Sequence, residues 1–257
     1  MGVRFEKQDA IGHIVLDRPP ANSYDRAFLD ELDAAIDSAA KDDGVRAIVV
    51  RSASEKFFSA GADVSVFAKS DLDGQNAFVV CANDAMGRFE STPKVVIAAI
   101  NGHCLGGGLE IALCCDFRIA AEGTYKIGLP EVSLGLLPGT GGTQRLPRLI
   151  GRQKALGLML RGTTLSPQEA KDAGIVDELV PAADLQSRAF ALAQELASGP
   201  SYARGQIKLA AVQGFGKPLD EGLAIERAAL IRLFKSADAR EGVTAFVEKR
   251  KPEYKGR

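Results

Sequence analysis

The sequence predicts an α/β fold with a helical C-terminal region. In the first quarter of the chain, alternating apolar and polar residues indicate strands at residues 3–6, 12–17 and 45–51. Between the second and third of these, apolar residues recur at three- and four-residue steps from Phe28 to Ala39, which indicates an amphipathic helix. After Gln153 strand signals become sparse, and amphipathic helical patterns dominate the rest of the chain.

The remaining elements follow in chain order. A helix over about 74–90 ends before Pro93, and the apolar run at 95–100 is typical of a strand buried on both faces. A turn at 101–105 and three glycines lead into a helix at 109–115. One further strand is expected at 175–180. The predicted later helices cover about 152–161, 183–197, 203–213 and 220–249, the last with a break near Ala237.

Composition and charge argue against nucleic-acid-binding and membrane-spanning proteins. The 257 residues include 32 basic and 33 acidic side chains, and this balance argues against a nucleic-acid partner. No apolar run reaches the roughly 18 residues that a membrane helix needs. Charged residues occupy positions 4, 6, 7 and 9, where the apolar part of a signal peptide would lie. We therefore expect a cytoplasmic protein without nucleic-acid or membrane partners.

The cysteines and histidines do not suggest metal or redox chemistry. The four cysteines, at 81, 104, 114 and 115, form neither a C-x-x-C pair nor a zinc-binding pattern with histidine. We expect reduced, mostly buried thiols and no metal site. His103 lies in the glycine turn without a nucleophile motif such as G-x-S-x-G, so we expect a structural role for it.

Three consecutive glycines, Gly106 to Gly108, stand between the buried strand and the next helix. A dinucleotide fingerprint would need glycine at 111, which is Ile111, and no glycine precedes the Lys-Ser/Thr pair of a phosphate-binding loop. The glycines therefore need another explanation. Without side chains they allow a ligand to approach the backbone closely, and they leave N–H groups free to donate.

Two glutamates lie near such glycines. Glu110 is three residues beyond Gly107, so its side chain can face the same region as the Gly107 N–H. A glutamate in a first helical turn also complements the helix dipole, and on this residue alone the functional and structural interpretations are about even. Glu131 follows Pro130, and by itself it is typical of a surface-loop acid.

Four blocks of sequence, in the same order, resemble the enoyl-CoA hydratase/isomerase (crotonase) family. The resemblance covers essentially the whole chain and implies a crotonase-like spiral of ββα units. It also implies an α/β core at 1–195, with the CoA and catalytic sites, and a C-terminal helical trimerisation region at 196–257. The blocks are FSAGAD at 58–63, NGHCLGGGLE at 101–110, GLPE at 128–131 with LPGTGGTQR at 137–145, and EGVTAFVEKRKP at 241–252.

The resemblance also implies roles for individual residues. The backbone N–H groups of Ala62 and Gly107 would form an oxyanion hole for the thioester carbonyl of an acyl-CoA. Phe246 and Lys249 resemble residues that meet the CoA nucleotide, often from a neighbouring subunit. No separate cofactor is expected, because coenzyme A is carried by the substrate. The other expected CoA contacts are Ala21 beside the pantetheine and phosphate arm, and Ala60, Ala62, Asp63, Val64 and Ser65 around the adenine.

Glutamates at both acid/base positions favour the hydratase branch. Glu110 would activate water for attack at C3 of a 2-trans-enoyl-CoA, and Glu131 would supply the proton at C2, giving a 3-hydroxyacyl-CoA. Repulsion between two buried carboxyls helps to keep one of them protonated. The sequence does not decide which one carries the proton.

Other members of the family remain alternatives. An isomerase typically has an apolar residue at the position of Glu110, and other acyl-CoA lyases use different residues. A non-catalytic CoA- or RNA-binding homologue is a different class, and the two glutamates and the neutral charge argue against it. Residues 66–89 are expected to border the acyl pocket, and the chain length of the acyl group stays open. We expect self-association as a trimer or a dimer of trimers, since the later amphipathic helices need partners.

Overall fold

Two β-sheets and eleven α-helices form the part of the chain that the computed structural model describes, residues 2–256 without the side chain of Phe67. The strands are β1 (Val3–Gln8), β2 (Ile11–Leu16), β3 (Ala47–Ser52), β4 (Phe57–Ser59), β5 (Val95–Ile100), β6 (His103–Leu105), β7 (Phe117–Ala121), β8 (Ile127–Gly128), β9 (Thr164–Leu165) and β10 (Glu178–Val180). The helices are α1 (Arg26–Lys41), α2 (Val64–Lys69), α3 (Leu72–Ser91), α4 (Gly107–Leu113), α5 (Gly142–Ile150), α6 (Arg152–Met159), α7 (Pro167–Ala173), α8 (Leu185–Ser198), α9 (Ser201–Gly214), α10 (Leu219–Phe234) and α11 (Ala237–Glu248). Short 3-10 helices span Glu131–Leu134 and Ala182–Asp184.

The larger sheet has the strand order β1-β2-β3-β5-β7-β10. Only the β1–β2 pair is antiparallel, and the other neighbours run parallel. Helix α1 contacts β1 and β2, while α8 contacts β2, β3, β5 and β7. Every residue of β2 and of β5 is buried. Burial of central parallel strands explains why the run at 95–100 is continuously apolar.

The start of α1 is fixed by local chemistry. The Asp25 carboxylate caps the helix by accepting a hydrogen bond from the Phe28 N–H, and the Arg18 guanidinium pairs with the same carboxylate. Such a cap contributes about 1 kcal/mol of helix stability. The predicted apolar face, including Phe28, Leu32 and Ile36, is buried.

The smaller sheet has the order β4-β6-β8-β9 and determines the geometry of the candidate site. Strands β4, β6 and β8 are parallel neighbours, with Ser59 opposite Cys104 and Leu105 opposite Gly128. Their carboxyl ends therefore lie at one edge. The prediction of a turn throughout 101–105 was wrong, because residues 103–105 form β6. The next helix begins at Gly107, two residues earlier than expected, and ends at Leu113.

The C-terminal quarter is helical, as predicted. Helices α8, α9, α10 and α11 correspond to the expected stretches, and the expected break separates α10 from α11 at 235–236. Helix α9 packs mainly on α10, and α11 contacts both of them. The division of the chain at residue 195 falls within α8 and stays a prediction.

Candidate active site

Three parallel strands of the smaller sheet bring separate pieces of sequence to one place. The chain leaving β4 carries Ala62, the chain leaving β6 enters α4 with Gly107 and Glu110, and the chain leaving β8 reaches Glu131. Because the strands are adjacent and parallel, these pieces meet beyond the carboxyl ends of the strands, the usual location of sites in α/β sheets. The structure thus brings together the four residues predicted to carry the chemistry.

The backbone N–H groups of Ala62 and Gly107 lie at this edge, and neither has an acceptor within residues 2–256. The Ala62 segment forms a parallel bridge with Tyr24, whose N–H donates to the Gly61 carbonyl and whose carbonyl accepts from Asp63. Gly61 has φ of +86°, and a Cβ atom there would lie 2.7 Å from the Gly107 nitrogen. Glycine at 61 therefore keeps the space beside that donor clear, as an oxyanion hole requires.

Glu110 is buried and firmly held. Its Oε1 accepts hydrogen bonds from the N–H groups of Thr140 and Gly142, at 2.9 and 2.7 Å, and its Oε2 accepts a short one from the Thr140 hydroxyl. Burial raises the pKa of this carboxyl above its ordinary value, and the three donors and the Arg145 charge oppose that shift. A carboxylate with three donors is well suited to staying ionised and accepting a proton from water.

Glu131 has different surroundings. It begins the 3-10 helix after β8, and its Oε1 lies beside Gly106, where a Cβ atom would approach to 3.1 Å. Its Oε2 is buried without a hydrogen-bond partner in the described part of the chain. Burial raises the pKa of Glu131 to about 7, with a hydrogen bond from its own backbone N–H opposing the shift and the charge of Glu110 adding to it. A buried carboxyl oxygen without a donor favours the protonated form, which can deliver a proton.

Sequence reasoning missed two polar residues at this site, Tyr24 and Thr140. Thr140 donates twice to Glu110, and the Tyr24 hydroxyl lies 3.3 Å from the Thr140 hydroxyl. A Cβ atom at Gly107 would lie 1.9 Å from the Tyr24 oxygen, so tyrosine at 24 requires glycine at 107. Thr140 lies inside the quoted block at 137–145, but nothing in its sequence surroundings indicates a partner 30 residues away.

The predicted CoA-binding residues fall into two groups. Ala21 lies next to Ala60, whose N–H donates to its carbonyl at 2.9 Å. Asp63 caps α2 by accepting from the Ser65 N–H at 3.0 Å, and Val64 and Ser65 are exposed on the first turn of that helix. These residues form one continuous rim beside the free N–H of Ala62. Their contacts with CoA stay predictions.

Phe246 and Lys249 lie elsewhere, on α11 and at its C-terminal cap. Helix α11 packs on α9 and α10, and the Phe246 side chain is 85% exposed. No hydrogen bond or ion pair within residues 2–256 joins these two residues to the rim at 60–65. Their place in the CoA site therefore stays a prediction.

Comparison with known proteins identifies the family to which the chain belongs. The model of the "Enoyl-CoA hydratase/isomerase" family matches residues 6–257. The chain belongs to the enoyl-CoA hydratase/isomerase family. A Rhizobium meliloti (strain 1021) protein named "Probable enoyl-CoA hydratase" is 41% identical over 257 residues, covering 98% of this chain and 97% of its own. A Bacillus subtilis (strain 168) protein of the same name is 40% identical over 251 residues, covering 95% and 94%.

The fold prediction is confirmed by a solved member of the family. The crystal structure of an enoyl-CoA hydratase from Bacillus anthracis superposes with a TM-score of 0.93 at 39% identity, and the match covers 100% of both chains. The crotonase-like α/β fold with a helical C-terminal region is thus the fold of this chain.

His103 and the four cysteines have structural surroundings. The His103 ring accepts from the Lys126 N–H at Nδ1 and lies 5.1 Å from the ring of Phe57. All four cysteines are free, and three of them are buried. Residues 2–256 contain no group of three or more His, Cys, Asp or Glu placed to hold a metal ion. No helix in the same range has both the length and the apolar character needed to cross a bilayer.

Proposed function

We propose that this protein is an enoyl-CoA hydratase that adds water reversibly to a 2-trans-enoyl-CoA to give a 3-hydroxyacyl-CoA. The proposal rests on the contrast between Glu110 and Glu131. Both lie beside the free backbone N–H groups of Ala62 and Gly107. Glu110 has three hydrogen-bond donors, whereas the Glu131 Oε2 has none, and the Glu131 pKa is raised to about 7. The named relatives at about 40% identity support the same activity.

In the proposed reaction, the two backbone donors and the two glutamates each have one task. The thioester carbonyl oxygen lies between the N–H groups of Ala62 and Gly107. Glu110, ionised, takes a proton from water as the water oxygen forms a bond to C3, and the C2–C3 π electrons move onto the thioester as an enolate. Glu131 then donates its proton to C2. The pair of carboxyls carries one proton before and after the reaction, but the proton has moved from Glu131 to Glu110.

The expected magnitudes suit this division of tasks. Two preorganised donors each stabilise a developing oxyanion by about 3 kcal/mol. A positioned general acid or base contributes about 100- to 10,000-fold in rate. The reaction needs no metal or added cofactor in this scheme, because the thioester itself accepts the electrons.

The substrate's nucleotide part is assigned to the rim at Ala60, Ala62, Asp63, Val64 and Ser65, with Ala21 beside the pantetheine arm. Phe246 and Lys249 would complete the site from a neighbouring copy of the chain, because both are exposed on α11 and its C-terminal cap, where a second copy can reach them. Self-association as a trimer or a dimer of trimers belongs to the same proposal. So does a cytoplasmic location, for which the four free thiols are the support.

The test is turnover of crotonyl-CoA. Hydration removes the absorbance of the conjugated enoyl thioester, and mass spectrometry of the product should show the gain of one water. A panel of enoyl-CoA esters with different chain lengths then identifies the preferred substrate. Conversion of a 3-enoyl-CoA to its 2-enoyl isomer without water addition would assign the isomerase reaction instead. Absence of both reactions across the panel would contradict the proposed function.

A further inference from the structure

The Tyr24 side chain lies between the two halves of the candidate site. Its ring is 1% exposed, stacks with Phe78 at a centroid distance of 5.9 Å and lies against Gly107. Its backbone pairs with the Ala62 segment. Tyr24 thus contacts the segments of both backbone donors, Ala62 and Gly107. Its hydroxyl lies beside that of Thr140, which donates to Glu110.

The hydrogen bonds near this hydroxyl have a defined direction. If Glu110 is ionised, its Oε2 can only accept, so the Thr140 hydroxyl donates to it. Thr140 has a single hydroxyl hydrogen, and therefore the Tyr24 hydroxyl, 3.3 Å away, donates to Thr140. The result is a continuous chain of donors from Tyr24 through Thr140 to Glu110, and such chains strengthen each of their hydrogen bonds.

Protonation of Glu110 at Oε2 would reverse this chain. Glu110 would then donate to Thr140, and Thr140 would donate to Tyr24. Thr140 is the one hydrogen-bond partner of the Tyr24 hydroxyl within residues 2–256, so the phenolic hydrogen would be left buried without an acceptor. A buried unpaired donor is costly, and the chain therefore favours the ionised form of Glu110.

The other groups around Glu110 must be considered together with this chain. Glu131 is the acidic neighbour, and its negative charge, when present, opposes ionisation of Glu110. Arg145 on α5 has the opposite effect and is itself paired with Glu90 at 2.6 Å. Cys114 is fully buried, and burial raises the pKa of its thiol well above the ordinary value, so it is neutral. None of these groups donates a hydrogen bond to Glu110 within the described residues.

We propose that Tyr24 is a positioning residue that acts through Thr140 to keep Glu110 ionised and oriented toward the water it activates. The inference rests on the proposed hydration and adds a residue that acts without touching the substrate's reacting atoms. We expect that removing the hydroxyl of Tyr24 or of Thr140 makes Glu110 harder to ionise, so that hydration needs a higher pH.

The experiment measures the pH dependence of crotonyl-CoA hydration in Thr140→Val and Tyr24→Phe. Thr140→Val removes a charge-assisted hydrogen bond, so we expect kcat to fall roughly 30-fold and the acidic limb of kcat/KM to move up by about one pH unit. Tyr24→Phe removes a neutral hydrogen bond one step away, so we expect a fall of about fivefold and a smaller shift in the same direction. KM should stay within about twofold in both.

Two further variants separate this role from a loss of stability. Thr140→Ser keeps the hydroxyl and should retain the parental acidic limb. Tyr125→Phe also removes a buried phenol, one that donates to the Ala121 and Ile100 carbonyls away from the site, and it should leave the acidic limb unchanged. If the parent hydrates crotonyl-CoA and Tyr24→Phe has the parental kcat and pH profile, the positioning role is wrong. If the parent itself does not hydrate, the proposed function fails first.

Discussion

Glu110 and Glu131 show how surroundings give one residue type two tasks. Glu110 is buried and Glu131 is half-buried, but three protein donors contact Glu110 and none contacts the Glu131 Oε2 within the described residues. Desolvation raises the pKa of both; three hydrogen bonds from Thr140 and Gly142 oppose the shift at Glu110, whereas at Glu131 the opposing hydrogen bond comes from its own backbone N–H. This difference supports Glu131 as the carrier of the proton in the proposed mechanism, a point that the sequence alone left open.

These pKa shifts predict a bell-shaped pH profile for hydration. Below pH about 7 Glu131 is protonated and can act as the acid, and above this value it loses the proton, so kcat/KM should fall on the alkaline side. At low pH Glu110 also becomes protonated and can no longer accept a proton from water. Stopped-flow or steady-state rates of crotonyl-CoA hydration between pH 5 and 9, roughly, will show both limbs.

The reverse reaction supplies a control for this profile. Dehydration of the 3-hydroxyacyl-CoA also needs one proton on the pair, then located on Glu110, so its kcat/KM should follow the same bell. An alkaline limb that persists unchanged in Glu131→Asp and Glu131→Gln would assign the limb to another group.

The sequence predicted part of this site at the level of residues. Ala62, Gly107, Glu110 and Glu131 were found because they lie in recognisable blocks, and the structure places them at one edge. Tyr24 was missed because its partner Thr140 is 116 residues away and the contact depends on the closure of the whole spiral. Hydroxyl side chains carry no periodic signal, so their hydrogen bonds cannot be inferred from local sequence.

At the level of elements, the sequence predicted long segments well and short ones poorly. Strand β5 was expected at the observed residues, because six apolar residues in succession indicate burial on both faces. Strands β4, β6 and β8 have three, three and two residues, too few for a periodicity of two to appear. Their pairing depends on neighbours distant in sequence, and these are the strands that assemble the site.

Helix α9 is attached to the core by a buried lysine. Lys208 is 7% exposed, its Nζ donates to the Phe89 and Lys94 carbonyls at 2.6 and 2.9 Å, and it pairs with Asp116 at 2.8 Å. The Asp116 carboxylate also accepts from the Val96 N–H. The ammonium thus satisfies three acceptors from three parts of the chain at once.

We predict that Lys208→Met lowers the free energy of unfolding by about 3 kcal/mol, because it leaves Asp116 and two carbonyls without their donor. Thermal and chemical unfolding will measure the change. Lys217→Met is a matched control, since Lys217 is exposed and lies 3.5 Å from Glu221 on the surface, and it should change stability little. Combining Lys208→Met with Asp116→Asn should cost less than the sum of the two single variants. Equal effects of the two lysine variants would contradict the anchoring role.

On the scale of the whole molecule, the C-terminal helices present many apolar side chains to solvent in the single chain. Exposed apolar surface on this scale is typical of an interaction face. The exposed residues are Ile207, Val212, Phe215, Leu219, Leu223, Leu230, Ile231, Phe234, Val243, Phe246 and Val247.

We therefore predict an assembly of three or six copies, measured by light scattering coupled to size-exclusion chromatography at micromolar concentration. Phe246→Asp together with Val247→Asp should weaken the assembly, because two charges would be placed at the apolar face. If Phe246 and Lys249 complete a neighbour's CoA site, dissociation should also raise the KM for crotonyl-CoA. A parent protein with the mass of a single chain would contradict both expectations.

The most direct test of the two-carboxylate mechanism is the hydration rate of Glu110→Gln and of Glu131→Gln, each compared with the parent on crotonyl-CoA at neutral pH. Each change keeps the size of the side chain and removes its ability to exchange a proton, so kcat should fall by more than about 100-fold in both. Circular dichroism and thermal melting should show that both variants are folded. Parental turnover in either folded variant would contradict the mechanism.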